Sequence, residues 1–205
     1  MNDFIIYILW TFFGLQHSLL ARPYFKSQIK YLLGERFEKN IYPFLYFLSQ
    51  CIIFLIVYDL IRNVKPDIIF FQLPNKYHGF IFLLNRISNL YLLLTVFHFN
   101  IGEFTGFSQL VNIFTSNRKN SINTNQPLNS SFLYRYIRHP MYLGIILVYL
   151  TSTTIYSDVF FVNVVSILIY IDIGSYFEEK TLIRKFGSSY IDFQSKTNKF
   201  IPFIR

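Results

Sequence analysis

Long apolar blocks almost free of charge dictate what this chain can become. Five can be read: Phe4–Ala21, Tyr42–Tyr58, Tyr77–Gly102, Pro140–Ser157 and Val159–Phe177. The first, second and fourth contain no Asp, Glu, Lys or Arg, the third contains only Arg86, and the fifth only Asp172. A helix crossing about 30 Å of hydrocarbon needs roughly 20 mostly apolar residues, so each block is long enough to span, or nearly so. Charged residues make up 15% of the 205-residue chain, against about 25% in an ordinary soluble domain. The pattern predicts an all-α polytopic membrane bundle, a single domain over 1–205, with spans at about 4–21, 42–58, 77–102, 140–157 and 159–177. Cys51 is the only cysteine and falls inside a span, which excludes a secreted disulfide scaffold.

A net charge of +8 would suggest nucleic acid in a soluble protein, but membrane topology explains it better. Lys and Arg collect in cytoplasmic loops, a bias to which Asp and Glu contribute little. With the N-terminus outside, segments 22–41, 103–139 and 178–205 lie inside and carry fifteen Lys/Arg, whereas the outside segments carry three, Arg62, Lys65 and Lys76. The expectation is therefore an N-out, C-in membrane protein that binds no nucleic acid. The first block reads as a retained span, because no basic region precedes it and the positive cluster follows it.

Between the spans, Pro66 and Pro74 mark a short outer loop, and Asn112–Ser131, rich in Asn and Ser, reads as an irregular insertion. The last two spans form a tight hairpin around Ser157–Asp158. The tail, about 178–193, places Leu182, Ile183, Phe186 and Tyr190 on one helical face and Lys180, Arg184 and Lys185 on another, the pattern of an interfacial amphipathic helix. Arg86 and Asp172 are candidates for a buried pair.

Side chains able to do chemistry gather at the cytoplasmic ends of the last hairpin. Pro140 suits the first turn of a helix, where its missing N–H costs nothing. That helix start presents unpaired N–H groups to an anion, with Arg138 beside it. His139, Tyr142 and Leu143 share a face, and Gly144 admits a ligand or a neighbouring helix. Arg135 and Arg138 are equally the residues a positive-inside anchor would use. Glu178 and Glu179 stand where the last span leaves the membrane. They are either solvated, paired with Lys180 or Arg184, or turned toward the Arg138–His139 mouth. In the last case a ligand with both a carboxylate and an ammonium would suit the pair, and S-adenosylmethionine has both. No metal-ligand spacing is present, and no metal is expected.

The stretch YRYIRHPMYLG, followed one hairpin later by EEKTLIRKFGSSYIDFQ and then IPF, resembles the isoprenylcysteine carboxyl methyltransferase superfamily. That family shows R-H-P-x-Y-x-G at a helix start, a transmembrane hairpin, and E-E-x-x-L-x-x-x-F-G-x-x-Y in the tail. These elements cover Tyr134–Pro202. The segments from Trp10 to Lys26, Glu35-Arg36, and Phe97–Gln109 resemble the family's bacterial methanethiol S-methyltransferase and NnrU-like branch. Two departures stand out: Ser131-Phe132-Leu133 lacks a glycine before Tyr134, and Asn100 replaces a usual acidic residue.

The resemblance implies an integral-membrane methyltransferase using S-adenosylmethionine as cofactor without a Rossmann domain. It implies that Arg138, His139, Tyr142, Leu143, Gly144, Glu178 and Glu179 line the cofactor pocket, with Leu182, Phe186 and Tyr190 packing the tail over it. Catalytic candidates are Arg138, His139 and His17, the last as an intramembrane ionisable group; His98 is in the same position. The implied partners are the lipid bilayer and a small or lipophilic methyl acceptor, methanethiol first, giving dimethyl sulfide. The alternatives are methylation of an isoprenylcysteine carboxyl or a phospholipid, or a non-enzymatic NnrU-like protein. Membrane sterol reductases share an R-H-P-x-Y-x-G-like element but follow it with an acidic residue, where this chain has Ile145, and lack the E-E-x-x-L tail.

Overall fold

A computed structural model describes residues 2–98, 100–114 and 132–201. In chain order its helices are α1 (Asn2–Ala21), α2 (Pro23–Leu33), α3 (Glu35–Asn40), α4 (Tyr42–Arg62), α5 (His78–Phe97), α6 (Ile101–Phe104), α7 (Phe107–Val111), α8 (Pro140–Leu150), α9 (Asp158–Phe186) and α10 (Ser188–Lys196). Two short strands, β1 (Ile69–Gln72) and β2 (Ile155–Ser157), pair antiparallel. Among the described residues four helical stretches are long and apolar enough to cross a membrane: Phe4–Ala21, Tyr42–Arg62, Asn75–Phe97 and Asp158–Phe186. Their outward faces are apolar, with Phe12, Leu19, Leu55, Phe80, Phe82 and Ile169 all exposed, a surface that suits lipid rather than water.

The structure falls into two compact units, residues 1–65 with 99–125, and residues 66–98 with 126–205. In the first, α1 packs on α4. The side-chain amides of Gln16 and Gln50 join the two helices at 2.8 Å, and the Tyr42 hydroxyl donates to the Leu20 carbonyl at 2.7 Å. Trp10, Phe13 and Phe54 fill the seam edge to face. The short helices α6 and α7 rest on α4 through Phe104 against Phe47 and Phe107 against Phe44. Asn100 starts α6, its side chain accepting a hydrogen bond from the Glu103 N–H at 3.3 Å. The residue that departs from the family pattern is thus a helix cap, a role in which Asn and Asp are equivalent.

The second unit holds α5, the β1–β2 pair and the α8–α9 hairpin. Here the expected spans need correction. The third ends at Phe97, not Gly102, before the separate α6. The block 140–157 is helical only as far as Leu150. Thr151, Ser152, Thr153 and Thr154 then give up the helix, and the chain finishes in β2. The hydroxyls of Thr151 and Ser152 turn back onto the carbonyls of Leu147 and Tyr149, at 2.8 and 2.7 Å, the local competition for backbone that disfavours such residues inside helices. Asn85 on α5 donates to the Val148 carbonyl and to the Thr151 hydroxyl, both at 3.2 Å. These bonds satisfy carbonyl and hydroxyl groups at the helix end. Ser157 then caps α9, and Asp158 accepts from the backbone N–H groups of Asp67 and Ile68 at 2.9 and 3.2 Å, tying the loop before β1 to the hairpin turn.

The fifth expected span, 159–177, is also longer than the apolar pattern. Helix α9 runs unbroken through Glu178 and Glu179 to Phe186. The amphipathic tail expected over 178–193 is therefore two pieces, the end of α9 and the separate α10. Gly187 makes the break, at φ 59° and ψ −133°, a region of backbone space essentially reserved for glycine. The remainder of the polar insertion, 115–131, and Pro202 lie outside the described residues.

Asn85→Leu is expected to lower stability by about 1 kcal/mol through loss of the α8 end cap. A fall in the thermal unfolding midpoint of the detergent-solubilised protein, without loss of helical signal at 20 °C, is the check.

Candidate active site

Helix α8 begins beside the end of α9. Pro140 stands at the first helical position, and His139, immediately before it, leaves helical geometry with φ −124° and ψ 61°. The tail returns to this point after α10. The Arg138 N–H donates to the Asn198 carbonyl at 2.8 Å, the His139 N–H to the Lys199 carbonyl at 3.1 Å, and the Asn198 N–H to the Tyr136 carbonyl at 3.3 Å. A short parallel bridge thereby straps residues 197–200 across the start of α8.

Four ionisable side chains meet beneath this strap. Arg138 Nε donates to Glu179 Oε1 at 2.7 Å, and the same oxygen lies 3.1 Å from His139 Nε2. Gln194 Nε2 donates to the other Glu179 oxygen at 2.9 Å. Arg138 Nη1 donates to the Gln194 carbonyl at 3.1 Å and to that of Thr197. The side chains of Arg138 and Glu179 are only 13% and 14% exposed, and His139 is buried. The buried carboxylate is thus surrounded by donors, as a charge taken out of water requires. Glu178 differs. Its side chain is 46% exposed, 3.6 Å from His139 Nδ1, and accepts from the Tyr142 hydroxyl at 2.9 Å.

Aromatic rings wall the cluster. His139 stacks on Tyr142 with centroids 5.3 Å apart, and Phe200 of the strap lies against both. His98 stacks on Tyr134 at 5.6 Å. Tyr190 of α10 is fully buried, and burial together with the charge of Glu179 pushes its phenol above the usual range. It stays a neutral packing residue at physiological pH.

The open alternatives at the sequence level are therefore resolved in part. Glu179 pairs with Arg138 and His139, not with Lys180 or Arg184. Arg138, His139, Tyr142, Glu178 and Glu179 come together. Gly144 faces a helix: a Cβ there would lie 3.1 to 3.2 Å from atoms of Leu92, so its bare backbone lets α5 and α8 close up. Leu143 is half-buried in the next position. His17 belongs to the first unit, with its ring between Phe13 and Tyr46. Arg86 and Asp172 do not pair. Arg86 lies over the Phe82 ring, and Asp172 is 2.5 Å from Lys199 of the strap. Gln194, Thr197, Lys199 and Phe200 are the participants that sequence reading missed. Their backbone carbonyls leave no mark in residue type, and the Gln194 amide, the Lys199 ammonium and the Phe200 ring are too common in a tail segment to single out without the fold.

The phospholipid methyltransferase family model matches residues 91–189, from within α5 to the first residues of α10. The chain is 24% identical over 205 residues to methanethiol S-methyltransferase 1 of Bradyrhizobium diazoefficiens, covering 97% of this chain and 66% of that protein. It is 26% identical to methanethiol S-methyltransferase of Pseudomonas deceptionensis, covering 97% and 72%, and 27% identical to that of Crocosphaera subtropica, covering 94% and 71%. The chain thus spans about two thirds of the length of these relatives. No solved structure matches it. The resemblance read from the motifs is borne out, and the four long apolar helices mark an integral membrane protein.

Arg138→Gln strips Glu179 of its cation and the strap of its side-chain donors. It is expected to cost about 2–4 kcal/mol, because the carboxylate is left buried without its partner, and to speed trypsin cleavage at Lys196 and Lys199. Glu178→Gln, half in water and still able to accept from Tyr142, should cost under about 1 kcal/mol. Thermal unfolding and timed digestion of the two variants provide the comparison.

Proposed function

We propose that this protein transfers a methyl group from S-adenosylmethionine to methanethiol, forming dimethyl sulfide. The observation that carries the reading is the Arg138–His139–Glu178–Glu179 constellation. It sets the Arg138 guanidinium beside two carboxylates, one of them half-exposed, and S-adenosylmethionine brings one carboxylate, one ammonium and one sulfonium to such a set. The donor set also fits part by part. Arg138 Nη2 has no partner among the described residues and suits the carboxylate, while half-exposed Glu178 suits the ammonium. The rings of His139, Tyr142 and Phe200 offer faces to the cationic centre, with Leu143 at their edge. Gly144 contributes by the close helix packing that shapes the pocket floor.

When bound, S-adenosylmethionine supplies an electrophilic methyl on a sulfonium. The competent nucleophile would be the thiolate, formed as the thiol's proton passes to water; as its bond to the methyl forms and the sulfonium's bond to it breaks, both charges would vanish and two neutral thioethers would leave. Excluding water favours such a step. The strap over the start of α8 and the buried ion pair beneath it are what this chain provides toward that exclusion. Positioning two reactants in one pocket contributes further, up to about 7–11 kcal/mol in ideal intramolecular models. Because the matching family model is that of phospholipid methyltransferases, a lipid amine is the second acceptor to test.

The reading includes the topology. Segment 140–157 starts beside Glu179 and ends at the Ser157 cap of α9. It therefore runs the length of α9 between those points, about 32 Å at 1.5 Å per residue, comparable to the hydrocarbon thickness. With this segment as a fifth crossing, part helix and part strand, the N-terminus lies outside, the C-terminus lies in the cytoplasm of a bacterial cell, and α10 rests at the inner interface. Reporter fusions at Lys30, Asn120 and Arg205 should all report cytoplasm, and an external signal at Asn120 would overturn the five-crossing topology.

Membranes from a host without this activity, expressing the chain and given methanethiol, should release dimethyl sulfide above the empty-vector control in headspace gas chromatography. His139→Ala should abolish the signal. Glu178→Gln should weaken S-adenosylmethionine binding at least tenfold in calorimetric titration while the fold survives. Binding that is intact in Glu178→Gln would remove that residue from the cofactor site. Methylation of a phospholipid or prenylcysteine instead of the thiol would replace the acceptor.

A further inference from the structure

Tyr91 lies on α5, and its hydroxyl is buried with no hydrogen-bond partner among the described residues. The other side-chain atom in this position, Gln109 Oε1, belongs to an amide whose Nε2 already donates to the Glu103 carbonyl. The phenol of Tyr91 has no such second bond. Buried polar groups are nearly always satisfied, and an orphaned one calls for a partner that binds there.

Its surroundings place it at the deep end of the site. Tyr91, Thr95 and His98 follow at i, i+4 and i+7 along one face of α5, and His98 stacks on Tyr134. The adjacent residue, Leu92, is the one Gly144 packs against. Gly144 is five residues into the hairpin from His139, about 7 Å along the α8 axis. Tyr91 is therefore level with the apolar body of α8, one to two turns deeper than the ionic cluster at its start. Burial, the charge of Glu178 and the Tyr91 phenol, in that order, push the Tyr134 hydroxyl up.

We propose that the Tyr91 hydroxyl donates a hydrogen bond to the sulfur of the small thiol acceptor, which enters as the thiolate with its proton left to bulk water, and holds it at the apolar end of the site. This rests on the function proposed above and assigns a residue to the acceptor rather than to the cofactor. The chemistry suits the position. A charged cofactor is gathered by the polar groups at the mouth, and a small thiol needs one donor and otherwise apolar walls. A thiolate sulfur accepts a hydrogen bond well, while the neutral thioether product accepts it weakly, so the same contact that retains the acceptor lets the product leave. Because the thiolate gives up its charge during transfer, the bond is strongest before the methyl moves. Tyr91 should govern KM for the thiol more than kcat.

Tyr91→Phe in the full-length protein removes this one hydroxyl. The expected result is a rise in KM for methanethiol of roughly tenfold or more, the size of one hydrogen bond to a charged partner. Affinity for S-adenosylmethionine should be unchanged, and the unfolding midpoint equal to or above that of the parent, since an orphaned hydroxyl costs the free protein stability. Unchanged KM in a folded variant would overturn the proposal. A lowered midpoint with unchanged KM would show that the hydroxyl serves the fold, and would overturn it too. A parent protein that binds S-adenosylmethionine yet methylates no thiol would overturn the proposed acceptor, and the role of Tyr91 with it. Thiol methylation by the parent with no change in Tyr91→Phe would remove only the latter.

Discussion

The carboxylate of Glu179 is the point on which the second unit turns. A charge held mostly out of water must be surrounded by donors, and the donors come from separate parts of the chain. Arg138 and His139 reach it from the approach to α8, and Gln194 from α10. The same Arg138 then binds two tail carbonyls with Nη1. One buried ion pair therefore fixes the start of α8, the later turns of α9 and the strap that crosses both. Replacing such a pair with apolar residues often costs no stability. Its presence here is better accounted for by the half-exposed Glu178 and the Tyr142 phenol that it sets in place beside it.

The shape of that site depends on a helix that stops early. Had α8 continued helically to Ser157, the turn of the hairpin would have no strand to pair with β1. The cost of ending a helix is a set of unpaired carbonyls, and here α5 meets part of it through Asn85. The same pair of helices closes tightly at Gly144 against Leu92. Small residues allow this approach where lipid supplies no hydrophobic drive for association. A polar cap at one level and a missing side chain at another hold α8 against α5.

Asp172 illustrates how a charge within an apolar block finds its use. It pairs at 2.5 Å with Lys199, which also lies over the Phe200 ring. The strap is thus held at Thr197 by Arg138 and at Lys199 by Asp172. Phe200, the residue after Lys199, is kept against His139 and Tyr142. Order in the tail and order in the site are one property.

The motifs marked the residues from Arg138 to Glu179 that come together, and the apolar blocks by themselves determined the membrane character and four long helices to within a few residues at most ends. This follows because hydrocarbon thickness acts on local composition, and composition is written in the chain. Gly187 was equally legible as a break once its conformation was known, yet hydropathy passed over it, because charged residues at the end of α9 resemble a new surface helix. Only the tertiary structure decided that the block 140–157 is half helix, since Thr151 to Thr154 end it with the help of Asn85, a residue more than sixty positions away. The separation of Glu178 from Glu179 into an exposed and a buried carboxylate was likewise invisible to sequence. Adjacent residues on a helix point about 100° apart, and which one meets Arg138 is set by the rotation of α9 against α8 and by where the tail returns, quantities fixed by packing and not by any local pattern.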